Sequence, residues 1–267
     1  MVNPMSLFLM STSFLLSLIL PLGVIIFLCV TKRLSFKGVF AGIGLFCMTE
    51  IVWMLLFSAL FSIGGVAAFL NANVWLASLT QSAVMAVMLA FGRYYMNKSM
   101  LSDISTWRGN CAFGLGYGFA YSIMYFSIQI LNDMMASVTI NQELEDETVQ
   151  STISYVLENQ TRLMETQPLE FLLPGASALA AILIQVALCL VVLYAIRQNK
   201  MLFVWGAAAI QTVIYVAYDL LQNAFGAWYS ASVFVICAVG SIVWIVKSKD
   251  IFDDEIKRPF SRRSPLL

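Results

Sequence analysis

Apolar residues along this chain fall into seven long runs, which short polar connections separate. A helix needs roughly 20 apolar residues to cross about 30 Å of hydrocarbon, and each run is long enough to do so. This pattern predicts an all-α protein, a polytopic membrane bundle of about seven transmembrane helices. The predicted spans are residues 7–30, 38–61, 74–96, 110–134, 173–196, 201–222 and 227–246.

The connection at residues 135–172 is the one sizeable polar segment between spans. It holds seven acidic residues and a single basic one, Arg162. Some of its apolar residues recur at roughly helical spacing, which is compatible with an amphipathic helix lying over the bundle. A solvated acidic linker is the alternative interpretation. The apolar positions concerned are Val149, Ile153, Val156, Leu157 and Leu163.

The distribution of charge predicts the topology of the chain. The formal net charge is zero, yet every one of the 15 Lys and Arg residues except Arg162 lies in an alternate connection, near one end of a span, or in the C-terminal tail. Because basic residues collect on the cytoplasmic side, we expect the N-terminus outside and the C-terminus in the cytoplasm. The first span lacks a basic n-region and a cleavage site, so we expect it to remain as an anchor.

Composition agrees with membrane insertion, since 60% of the residues are hydrophobic, 11% are charged, and the mean hydropathy is +0.84. We expect an integral multi-pass protein of the plasma or cytoplasmic membrane, or of an endomembrane. Residues 1–250 form one transmembrane domain in this prediction, with 135–172 as an outer acidic loop. Residues 251–267 are expected to be a disordered cytoplasmic tail whose basic residues contact anionic lipid.

Membrane lipids are therefore predicted partners, whereas nucleic acid is not, because the chain has neither a phosphate-binding glycine loop nor a basic strip with interleaved aromatic residues.

Five cysteines lie within or at the ends of spans, without CxxC spacing and outside the acidic loop. We interpret them as small packing residues rather than as a disulfide framework or metal site.

Five strongly polar side chains occur near the middle of four different spans. Residues at mid-depth of neighbouring spans meet at one level, so these five could line one polar chamber. The alternative is that they are separate hydrogen-bonding contacts between helices, each contributing about 0.6 to 2 kcal/mol. Their common depth favours a binding site. The five residues are Glu50, Tyr117, Tyr121, Gln185 and Gln211.

Two further charged residues lie closer to the membrane surfaces. Arg93 is near the predicted cytoplasmic end of its span, where it either pairs with a carboxylate or phosphate or snorkels to the interface. Asp219 is nearer the outside and forms, with Glu50, the candidate ionisable pair of the spans. The complete set of candidate ligand-binding residues is Glu50, Arg93, Tyr117, Tyr121, Gln185 and Gln211.

About half of the chain resembles a known family. The segments are "FGRYYM" at 91–96, "GLGYGFAYSI" at 114–123, "ALAAILIQVALCLVVLYAIRQNK" at 178–200 and "WGAAAIQTVIYVAYDLL" at 205–221. In order and spacing they resemble the YhfC-type intramembrane metallopeptidases, which are grouped with the CAAX-prenyl-protease-like and PrsW-like membrane peptidases. The glycine framework and the Gly-Arg-Tyr element carry most of this resemblance.

The resemblance implies a set of metal-ligand and base positions, and this chain departs from the family at each of them. Family members carry a Glu-Glu pair before the Gly-Arg element, a His and a Glu in the glycine element, and further His residues in the next two spans. A zinc hydrolase needs such ligands and a carboxylate base, and this chain contains no histidine. The corresponding positions here are, in order, Leu89, Ala90, Tyr117, Tyr121, Gln185 and Gln211.

These departures predict a non-catalytic pseudoprotease that needs no cofactor and binds transmembrane segments of other proteins or lipid-linked peptides. Three alternatives remain. An active metallopeptidase of the family would require zinc. A metal-free hydrolase would need Glu50 as its general base. A seven-span receptor or a proton-coupled small-solute transporter would be unrelated to proteolysis, and in the transporter Glu50 and Asp219 would relay protons.

Overall fold

The computed structural model describes residues 1–100, 106–142 and 150–257 of the chain. Within these ranges every regular element is helical, and no strand occurs. The α-helices are α1 (Pro4–Phe14), α2 (Leu20–Val30), α3 (Phe36–Ser62), α4 (Val66–Ala72), α5 (Val74–Tyr95), α6 (Trp107–Ser122), α7 (Ile128–Gln142), α8 (Gln150–Glu165), α9 (Leu173–Arg197), α10 (Leu202–Phe225) and α11 (Ala227–Lys257).

Seven helical segments are long and apolar enough to cross a membrane, which confirms the predicted class and number of spans. The fourth span differs most from its prediction, because α6 and α7 belong to one continuous helical segment that extends beyond residue 134. The spans are Pro4–Val30, Phe36–Ser62, Trp75–Ser99, Trp107–Asn141, Pro168–Arg197, Leu202–Phe225 and Ala227–Phe252. Their orientation across the membrane stays a prediction.

The fourth and fifth spans form the centre of the bundle. Within their most apolar windows, 67% and 72% of the residues are buried, against 28% to 33% in the other five spans. Lipid tails are as apolar as leucine, so close packing and hydrogen bonds between helices hold such a bundle together. Both central spans are rich in Gly, Ala and Ser, which allow their backbones to approach closely.

Three glycines of α6 lie at these close approaches. A Cβ atom on Gly114 would lie 2.6 Å from Cα of Val186 on α9, and one on Gly116 would lie 2.0 Å from the carbonyl oxygen of Val39 on α3. Such distances are far below van der Waals contact, so only glycine fits without a shift of backbone. The glycine framework of the sequence is therefore a set of helix contacts on two sides of α6.

Two π-helical turns, Leu15–Ile19 in the first span and Ile123–Ser127 in the fourth, lie against each other. The hydroxyl of Ser127 donates to the Ser17 hydroxyl at 2.9 Å, and Ser122 donates to the Ser17 backbone carbonyl at 2.7 Å. A π turn departs from the regular hydrogen-bonding pattern of an α-helix, and Ser122 supplies the Ser17 carbonyl in such a turn with a partner. The contacts join the first span to the central one.

The polar connection is largely helical, so the prediction of a loop over residues 135–172 is wrong in its first part. Helix α7 continues to Gln142, and of the two interpretations of the next part the amphipathic helix is the one observed, as α8 over Gln150–Glu165. The Leu163 side chain is buried, and the Arg162 guanidinium pairs with Asp133 of α7 at 2.5 Å. Val149 lies outside the described residues.

Contacts at the ends of the chain also differ from expectation. The backbone N–H of Val2 donates to Asn141 Oδ1 at 2.7 Å, which places the N-terminus beside the end of α7. Helix α11 extends to Lys257, beyond the predicted start of the tail at residue 251, and Phe252 is buried against the Arg197 guanidinium. The rest of the predicted tail, 258–267, lies outside the described residues. All five cysteines are free thiols.

Candidate functional site

A buried arginine is at the centre of the polar interior. Arg93 of α5 has no exposed surface, and its Nη1 donates a hydrogen bond to Gln211 Oε1 of α10 at 2.9 Å. Its Nη2 donates to Gln185 Oε1 of α9. The snorkelling alternative is therefore wrong. The physical reason is that helical structure continues past Tyr95 through a π turn to Met100, which leaves Arg93 within the span.

Tyr215 completes this network. Its hydroxyl accepts hydrogen bonds from Gln185 Nε2 and Gln211 Nε2, both at 3.0 Å. Because a guanidinium only donates, each amide oxygen must face Arg93, and each amide nitrogen then faces the phenol. Tyr215 is not among the site residues predicted from the sequence. Its signal was a position four residues after Gln211, which puts both side chains on one face of α10.

The two tyrosines of the glycine element pack beside this network. The Arg93 guanidinium lies over the Tyr117 ring at 5.3 Å from its centroid, and the fully buried Tyr117 hydroxyl has no hydrogen-bond partner among the described residues. The Tyr121 ring is parallel to that of Tyr215, with centroids 5.9 Å apart. Phe46 of α3 meets both tyrosines edge-on. Four of the five predicted chamber residues thus come together.

Glu50 is the fifth predicted residue, and it lies outside the hydrogen-bond network of Arg93. Its carboxylate oxygens accept from the Tyr125 hydroxyl at 3.0 and 3.1 Å, on the side of α3 where the side chain is half-buried. The Phe46 ring also meets the Tyr125 ring edge-on. Among the five residues predicted to share one chamber, Glu50 thus contacts Tyr125 and makes no hydrogen bond with Arg93, Gln185 or Gln211.

Leu89 and Ala90, which stand at the positions of the Glu-Glu pair, are fully buried in hydrophobic clusters. They lie one turn before Arg93 on α5, so carboxylates there would have faced the interior near the guanidinium. In this chain the same positions contribute apolar packing. Ala90 contacts a small-residue cluster that includes Ala195 and Ala208.

A cavity of about 260 Å³ lies between this network and the end of the bundle at which α5 begins and α10 ends. We call it the tyrosine cavity. Tyr121 and Tyr215 line it and also contact each other beside the Arg93 network, so they form its boundary with that network. Its other lining residues include Trp53, Gln81, Tyr125, Gln129, Tyr218 and Asp219.

Asp219 is the carboxylate of the tyrosine cavity. Its Oδ2 accepts a hydrogen bond from the Ser78 hydroxyl at 2.8 Å. Glu50 reaches the cavity only through Tyr125, which lines it. Glu50 and Asp219, the candidate ionisable pair, therefore belong to the same region of the bundle through different partners.

The donor groups of the site fit hydrogen bonding better than metal binding. Zinc takes imidazole, thiolate and carboxylate ligands, and the residues that the structure describes contain no group of three or more such side chains that could hold a metal ion. The site offers amide oxygens and phenols instead, and the Arg93 guanidinium already binds both amide oxygens.

The family model described as YhfC intramembrane metalloprotease matches residues 16–239. The uncharacterized membrane protein YhfC of Bacillus subtilis (strain 168) is 27% identical over 165 residues. That match spans 60% of this chain and 64% of the Bacillus protein, which is less than two thirds of its length. No solved structure matches the chain. Because this family model matches most of the sequence, the chain belongs to the YhfC intramembrane metalloprotease family.

Proposed function

We propose that this protein is a non-catalytic member of its family, which binds segments of other membrane polypeptides at the tyrosine cavity. One observation carries the proposal: the Arg93 guanidinium donates to Gln185 and Gln211, two positions at which the family resemblance implies histidine ligands. A divalent cation on these amide oxygens would have to displace a buried cation. The cation at this site is thus the Arg93 guanidinium of the protein itself.

In this proposal, the proteolytic activity that the family's name implies therefore does not extend to this chain. Zinc hydrolysis requires ligands that hold the ion and a carboxylate that takes a proton from its water. The implied base positions are the buried Leu89 and Ala90 here, and the implied His and Glu of the glycine element are Tyr117 and Tyr121. These residues do not fit a zinc site.

The shape and chemistry of the tyrosine cavity support a polypeptide ligand. About 260 Å³ accommodates one large side chain rather than a whole helix. Its aromatic walls offer apolar surface, while Gln129, Asp219 and the tyrosine hydroxyls offer hydrogen-bonding groups, a combination typical of binding sites. We infer that a partner segment lies against the bundle and inserts one side chain.

Site-specific photo-crosslinking in native membranes tests this proposal. A photo-reactive residue at Gln129, which lines the cavity, is expected to crosslink to defined peptides of a partner protein. Filling the cavity with Gln81→Trp should abolish that crosslink. The matched control is the same photo-reactive residue at the exposed Ile236 of α11, which does not line the cavity. Crosslinks at Gln129 that persist in the Gln81→Trp variant would refute binding in the cavity.

A proton-coupled carrier is the second candidate function, and the position of the two carboxylates favours it. Asp219 lines the cavity, and Glu50 is hydrogen-bonded to the cavity residue Tyr125. Glu50→Gln separates the two functions in reconstituted vesicles. Loss of pH-dependent solute movement would support transport, whereas unchanged behaviour with reduced thermal stability would assign Glu50 to a structural polar contact.

A further inference from the structure

A second cavity, of about 610 Å³, lies near the opposite membrane end from the tyrosine cavity. It is a groove between α2 and α11 over a floor of α6 and α9, and we call it the basic groove. Leu28 and Ile245 lie on its sides, whereas Leu115 and Val186 belong to the floor helices. These residues make the inner part of the groove apolar.

The mouth of the basic groove carries three cationic side chains, Arg33, Arg108 and Lys249, and no acidic side chain lines it. Among the described residues none of the three has an ion-pair or hydrogen-bond partner, although Arg162 and Asp133 elsewhere form a close pair. Three unpaired cations of the same sign repel one another and attract an anion. The groove therefore combines an anion-attracting rim with an apolar interior.

Local structure fixes two sides of this rim. The backbone turns after α2 at Lys32, which has a left-handed φ of 55°, and the N–H groups of Arg33 and Leu34 both donate to the Leu28 carbonyl. On the other side, the Trp107 indole donates to the Ser248 hydroxyl at 3.0 Å and joins α6 to α11 next to Lys249. The cations thus project from ordered turns and helices.

We propose that the basic groove binds one anionic phospholipid, with its phosphate at the three cations and an acyl chain in the apolar interior. The three cations favour an anionic ligand, and the apolar interior of the groove favours an anion that carries a hydrocarbon chain. Clusters of basic residues at pockets between transmembrane helices are suited to anionic head groups. The proposal is independent of the proposed function, because the two cavities have no lining residue in common.

The test compares two variants with the same change in charge. Purified full-length protein is placed in micelles that contain phosphatidylcholine and phosphatidylglycerol, and the retained lipid is measured by native mass spectrometry. The groove variant Arg33→Gln, Arg108→Gln, Lys249→Gln should bind phosphatidylglycerol about tenfold more weakly. The control variant Lys32→Gln, Lys37→Gln, Lys200→Gln removes three exposed cations that do not line the groove and should bind as the unmodified protein does.

A third variant tests the acyl chain without altering charge. Leu28→Trp fills the groove and should reduce phosphatidylglycerol retention to a similar degree. Equal loss in the groove and control variants, or no loss in either, would overturn the proposal. So would equal retention of phosphatidylcholine, unchanged binding by the Leu28→Trp variant, or competition by inorganic phosphate as effective as that by phosphatidylglycerol. Thermal unfolding of each variant checks that it remains folded, and crosslinking at Gln129 should be unaffected.

Discussion

Arg93 and Gln211 meet in the interior of the bundle, where Nη1 of the arginine lies 2.9 Å from Oε1 of the glutamine. They lie 118 positions apart on α5 and α10, and neither side chain is exposed by more than 1%. A charged group in this environment is costly unless it is hydrogen-bonded. The glutamine therefore acts as a neutral partner for a cation that the helices hold away from water.

Removing one amide from this network should destabilise the protein. Gln211→Leu leaves one Arg93 donor and the Tyr215 hydroxyl with fewer partners, and we expect the free energy of unfolding to fall by about 1–3 kcal/mol. Thermal unfolding in detergent measures the change. Gln129→Leu removes the amide of an exposed glutamine, for which the structure shows no hydrogen bond among described residues, and should change stability by less than half as much. Equal effects would show that the Arg93 network adds nothing.

Removal of the Tyr117 hydroxyl and removal of the Tyr215 hydroxyl should have opposite effects on stability. Tyr117 has no hydrogen-bond partner among the described residues, so Tyr117→Phe relieves a buried unsatisfied group and should leave stability unchanged or raise it by about 1 kcal/mol. Tyr215→Phe leaves two amide nitrogens without an acceptor and should lower stability by about 1–3 kcal/mol. Denaturation of both variants in one detergent gives the comparison, and a larger loss for Tyr117→Phe would contradict the network.

A methyl group on the central helix should be tolerated poorly. In Gly116→Ala the new Cβ would lie 2.0 Å from the Val39 carbonyl oxygen, so α3 and α6 must separate. We expect destabilisation of at least about 2 kcal/mol, as for overpacked cores. The matched control is Gly44→Ala, since a Cβ at Gly44 meets no atom within 4 Å and alanine is the better helix former. The melting temperatures of the two variants should move in opposite directions.

The ion pair between α7 and α8 should hold the amphipathic helix against the bundle. Asp133 is 8% exposed and Arg162 is 41% exposed, so the pair is partly shielded from water. Asp133→Asn should weaken the attachment of α8 by about 1 kcal/mol. Faster hydrogen exchange in Gln150–Glu165 is the expected result, with Glu158→Gln, at an exposed site, as the control. Unchanged exchange would show that apolar contacts such as that of Leu163 suffice.

Sequence alone was enough to predict the spans, because the hydrocarbon thickness sets their length and hydropathy is a local property. It was less successful where helices continue through polar residues. Helix α7 extends to Gln142 and α11 to Lys257, since contacts such as those of Asn141 with Val2 and of Phe252 with Arg197 stabilise the extra turns. Such contacts join residues far apart in the chain.

The sequence predicts the depth of the site residues in the membrane, but it does not predict the direction in which each side chain points around its helix. Counting along each span placed Gln185 and Gln211 at one level, and the structure brings them together. The same counting included Glu50 and omitted Tyr215, because depth does not tell which way a side chain points around its helix. The sequence predicts Arg93 near the cytoplasmic end of its span because it predicts that the span ends at residue 96. The π turn that extends the span has no clear sequence signal.

Metal analysis of the purified full-length protein tests most directly whether the Arg93 network replaces a metal centre. After expression in medium supplemented with zinc and dialysis against a weak chelator, inductively coupled plasma mass spectrometry should find well below one divalent ion per chain. The same amount should remain after Gln211→Leu. About one tightly held zinc ion per chain, lost in the Gln211→Leu variant, would contradict the proposal that the family site is occupied by the protein's own cation.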